Sequence, residues 1–165
     1  MRNTTKKLTV LAMTVAVAMI LSFVESRIPA FVAIPGVKIG LANIAVIFAL
    51  YKLGWCEAIT VSLVRVVLVA LLFGSVVSLA YSIAGAILSL SLMIILRKIG
   101  IFTEVAVSVV GGITHNIGQI FVAFLLLESE VVFYYLPFLL VSGIIAGIVV
   151  GIVSALLVKR IRIKI

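Results

Sequence analysis

The chain has 165 residues, 65% of them hydrophobic and only 11% charged, and its mean hydropathy is +1.50. Soluble domains average about 45–50% apolar and about 25% charged residues, so a water-soluble globular protein is excluded, and so is a disordered chain, which needs the opposite balance. The net charge of +8 comes from 13 Lys/Arg against 5 Glu, and ten of the basic residues lie at ends of apolar stretches that would share one side of a bilayer, which points to topology and anionic lipid rather than to nucleic acid.

Six apolar stretches predict an all-α membrane protein of six transmembrane helices, at roughly 20 residues a crossing. They fill residues 1–165 as a single transmembrane domain. The first runs from Leu8 to Val24. It has the basic start of a signal peptide, but the Ser22-Phe23-Val24-Glu25-Ser26-Arg27 that follows lacks a small-residue cleavage site, so it reads as a retained helix. Ala12 and Ala16 form a small-residue face on it, suited either to internal packing or to docking another membrane subunit.

The connection from Glu25 to Asn43 holds two of the three prolines, and Pro35-Gly36 reads as a turn. An apolar, non-helical segment at membrane depth needs protein or a cavity beneath it, so a re-entrant or plug-like first external loop is expected, with Lys38 and Asn43 at its end. The second stretch, Ile39 to Leu53, is short. The third, Glu57 to Gly74, carries Arg65 near its middle. An intramembrane arginine costs at least about 2.5–3.5 kcal/mol on insertion scales. Every Glu sits at a predicted helix end, so Arg65 reads either as the counter-charge of a bound anion or as a cap on the carbonyls of a broken helix.

The fourth stretch, Val76 to Leu96, has a stripe of Ser78, Ser82, Gly85 and Ser89. The fifth, Val105 to Leu127, contains Gly111-Gly112-Ile113-Thr114-His115-Asn116-Ile117-Gly118-Gln119. His115 and Gln119 share a face with Gly111 and Ser108, and Asn116 points about 100° away. This trio offers donors and acceptors to a ligand, or else hydrogen bonds between helices. The sixth stretch, Pro137 to Val158, repeats glycine at 143, 147 and 151. With a cytoplasmic amino terminus, ten basic residues fall inside and two outside, so both termini are expected in the cytoplasm. A single Cys allows no internal disulfide, and neither a metal-ligand spacing nor a P-loop is present, so no cofactor is expected.

Glu25-Ser26-x-Ile28-Pro29, Pro35-Gly36-Val37-Lys38-x-Gly40-Leu41-Ala42-Asn43, Arg65 and Gly112-x-x-His115-Asn116-x-Gly118-Gln119 together resemble the heptaprenyl diphosphate synthase component I family, also called the Gx transporter family. That family is similar to the substrate-binding S components of energy-coupling factor (ECF) transporters. The resemblance implies a multi-pass protein of the bacterial cytoplasmic membrane. It would bind a small molecule beneath the first external loop and meet a coupling subunit and ABC-type ATPases through the alanine face of Ala12 and Ala16. The synthase name carries a second implication, a non-catalytic membrane subunit tied to heptaprenyl diphosphate or menaquinone side-chain synthesis, with a prenyl diphosphate synthase as partner. Catalysis by this chain is not expected, because an Mg²⁺–diphosphate site needs clustered carboxylates and the sequence has no Asp. The expectation is an S component for an anionic, partly hydrophobic molecule held by Arg65, His115, Asn116, Gln119, Lys38 and Asn43.

Overall fold

The computed structural model describes residues 2–27 and 40–162. Six α-helices follow one another: α1 Arg2–Arg27, α2 Asn43–Lys52, α3 Trp55–Phe73, α4 Val76–Ile99, α5 Glu104–Leu127 and α6 Leu136–Arg160. A 3₁₀ turn, Glu130–Tyr135, leads into α6, and no strand occurs among the described residues. Local chemistry fixes the ends. Ser75 and Thr103 cap α4 and α5 by accepting the backbone N–H of Ser78 and Ala106, each at 3.2 Å. Gly100 closes α4 in the left-handed region at φ 80°, and Pro137 occupies the first turn of α6.

Five of the helices are long and apolar enough to cross a bilayer. The expectation of six full crossings needs correction at α2. Its 10 residues rise only about 15 Å at 1.5 Å each, roughly half of a 30 Å hydrocarbon core. Gly40 takes φ 74° and residues 41–42 form a turn, so the helix cannot begin before this point. The proposed plug, with Pro29, Pro35 and Lys38, lies outside the described residues.

Contacts between helix ends reveal the arrangement. Lys7 of α1 pairs with Glu57 of α3, while Arg97 of α4 donates to the Tyr51 carbonyl of α2 at 3.4 Å and lies over the Tyr51 ring. Lys98 sits 5.6 Å from the Trp55 ring centroid. The starts of α1 and α3 and the ends of α2 and α4 therefore share one end of the bundle, which is rich in basic residues. The start of α5 and the end of α6 join them, because Gly151 packs on Val105.

Helix α5 is the axis of packing between α4 and α6. A Cβ at Gly118 would lie 2.8 Å from the Ala84 carbonyl oxygen, and one at Gly147 would lie 2.6 Å from the Val109 Cα. Such close backbones are how membrane helices gain contact when lipid supplies no hydrophobic drive. The glycines of α6 thus face α5 within the same chain. Toward the basic end the bundle is filled by Ile47, Leu50, Val61, Met93 and Val107, all essentially inaccessible. Apolar side chains also cover the outside: Leu71 is 75% exposed and Val76 84%. An apolar surface of this extent belongs against lipid, and the chain is a multi-pass membrane protein.

Candidate functional site

Among the described residues, α2 covers only half of the bundle's length, which is packed solid toward the basic end and leaves a hollow beside the α2 amino terminus. A cavity of about 80 Å³ occupies the hollow. Glu25 from the end of α1 and Asn43 from the first turn of α2 line it, with Arg65 from the middle of α3. Ser108, His115, Asn116 and Gln119 line it from α5, and Gly143 and Gly147 from α6. Five of the six residues expected to form a site therefore border one space, and the sixth, Lys38, lies outside the described residues. A second cavity of about 140 Å³ shares Glu25, Arg65, His115 and Gln119 and extends between α1, α3 and the start of α4.

The polar groups of the pocket are incompletely satisfied. Arg65 Nε, Ser108 Oγ and Gln119 Oε1 are buried without a hydrogen-bond partner among the described residues. Among the described residues only Tyr51 Oη and Ser154 Oγ share that condition, and neither lines this cavity. Each such group costs about 1–3 kcal/mol when left unsatisfied, and three of them border this one space. The space is also adequate, since a cavity holds one water at roughly 10–15 Å³, and a carboxylate or phosphate group needs only a few times that.

Other members of the set also have structural work. Asn116 donates its amide N–H to the Leu139 carbonyl at 2.5 Å, which ties α5 to the first turns of α6. The His115 ring packs against Gly85, where a Cβ would approach Cε1 to 2.7 Å. Asn43 donates its backbone N–H to the Gly40 carbonyl, and the Gly40 N–H donates in turn to Glu25.

Glu25 is the residue the sequence pattern misses as part of the site. It sits at a helix end, as expected, yet the fold brings that end to the cavity, where it lines the same space as Arg65. No ion pair within 4.0 Å joins them among the described residues, so Glu25 balances the arginine without filling its hydrogen bonds. Its place in Glu25-Ser26-x-Ile28-Pro29, just ahead of the loop, is the signal that marks it. Ser108 was legible only as a neighbour on the His115 face. The two alanines of α1 lie elsewhere: Ala12 and Ala16 are exposed on the outside of the bundle, while Thr14, Ala18 and Ser22 turn inward.

Comparison with known proteins gives one match. A family model described as heptaprenyl diphosphate synthase component I matches residues 14–157, which spans all six helices. No curated protein and no solved structure matches.

Proposed function

The chain belongs to the heptaprenyl diphosphate synthase component I family, and from that premise we propose that it is a non-catalytic membrane subunit of an assembly that makes or uses prenyl diphosphates. In this reading it holds a small anionic, partly hydrophobic molecule in the pocket around Arg65. The observation that carries the binding role is the convergence of three unpartnered polar atoms, one of them on an arginine, on a single cavity. Arg65 faces the negative group, and Gln119 and Ser108 orient its polar edges. The family description supports the setting, and the lack of Asp in the sequence supports a partner as the source of any diphosphate chemistry.

Two measurements test this. Arg65→Ala should abolish binding of inorganic diphosphate by the purified protein while leaving membrane insertion and folded yield intact. Equal binding by the variant removes Arg65 from the site. A soluble prenyl diphosphate synthase from the same cell should gain activity or altered chain length when this protein is added in lipid, and an unchanged product profile refutes the subunit role.

The exposed face of Ala12 and Ala16 favours a second reading, the S component of an ECF-type uptake transporter. Small residues on an outward helix face allow close approach of another membrane helix. Mild-detergent pull-down separates the two: two ABC-type ATPases with a coupling membrane protein support the transporter, and a prenyl synthase supports the first reading.

A further inference from the structure

Beside the polar pocket lies a larger, mainly apolar chamber of about 470 Å³ between the start of α4, the end of α5, the 3₁₀ turn and the start of α6. This is within the usual size of small-molecule sites. Its floor is a separate cluster of buried apolar residues, Ile120, Val132 and Leu139. Its rim, at Val77, Leu127 and Tyr135, is open. The chamber is not isolated. Gln119 lines it and both polar cavities, and Ser78 and Ser82 line it together with the cavity that extends from Arg65. The three spaces thus adjoin at Gln119, with Ser78 and Ser82 standing between the cavity that reaches Arg65 and the apolar chamber.

We propose that the chamber is a tail site, and that the ligand is a single-chain amphiphile whose phosphate or diphosphate head lies at Arg65 and whose unbranched or prenyl tail fills the space over Ile120, Val132 and Leu139. This rests on the reading of Arg65 as the anion site. The occupant is specified by the adjacency of the chamber to that site through Gln119, Ser78 and Ser82 and by the change in polarity across the three spaces. A free hydrocarbon would leave the Arg65 end unmet, and a compact anion would leave the apolar end empty.

The experiment measures binding of inorganic phosphate and of monoalkyl phosphates with four to ten carbons to the full-length protein in zwitterionic nanodiscs, each below its aggregation concentration. Affinity should rise about fourfold for each methylene that enters the chamber, the equivalent of about 0.8 kcal/mol. It should then level off when the space is full. Val77→Trp at the open rim and Ala123→Phe on the wall should bring that plateau to a shorter chain and leave inorganic phosphate binding unchanged. Val77 is exposed, so its variant keeps the test independent of any packing damage at Ala123.

Phosphate binding with no dependence on chain length overturns the tail site and leaves the anion site standing. Failure of every probe to bind overturns both. Equal binding of the matching alkyl alcohols, or displacement by phosphatidic acid at equal potency, makes the chamber an ordinary lipid slot and also overturns the proposal.

Discussion

At the scale of single residues, the balance between Arg65 and Glu25 governs the site. A carboxylate that acts on the arginine also repels an incoming anion. As a general scale, two unit charges about 10 Å apart at an effective dielectric of about 20 interact by about 1.7 kcal/mol. Glu25→Gln should therefore tighten diphosphate binding roughly fifteen- to twentyfold, read by titration calorimetry, while its amide oxygen still accepts the Gly40 N–H. Weaker binding in that variant would make Glu25 a ligand-holding group instead. Arg65 and the helix 5 trio are legible in sequence because polar groups inside an apolar run have few uses. Glu25 is not, because position along the chain says nothing about which helix end closes over which cavity.

At the scale of elements, the spacing of glycines decides how near α5 comes to its neighbours. Gly118→Ala sets a methyl against the α4 backbone, and overpacking of this kind costs about 1–3 kcal/mol. The variant should unfold at lower temperature in detergent, whereas Ala12→Leu on the exposed face of α1 should leave stability unchanged. If Ala12→Leu removes a membrane partner from pull-downs at the same time, that face is a docking surface. The ends of α3 to α6 fall within a few residues of the apolar boundaries in the sequence, since caps, Pro137 and charges mark them. Helix α2 does not follow its apolar stretch. Hydropathy counts residues that suit lipid, and it is blind to a glycine in the left-handed region that delays a helix.

At the scale of the whole molecule, the gathering of Lys7, Lys52, Arg97, Lys98, Lys159 and Arg160 at one end makes a prediction about orientation. The single cysteine, Cys56, is exposed and lies on the first turn of α3 at that same end. With the basic end in the cytoplasm, a membrane-impermeant maleimide should label Cys56 in inverted vesicles and spare it in right-side-out ones. The opposite pattern reverses the topology. The alternation of basic and poor ends was readable from charges alone. The hollow between the helices was not, because a cavity is a property of packing between segments distant in the chain.

The halfway stop of α2 has a further consequence for traffic. Among the described residues, tightly packed side chains fill the half of the bundle that holds α2, and the Arg65 cavity lies in the other half. A molecule that crossed from that cavity to the basic end would have to part α2 from α3 and α6, the helices it packs against. The packed half is therefore a barrier as well as a core.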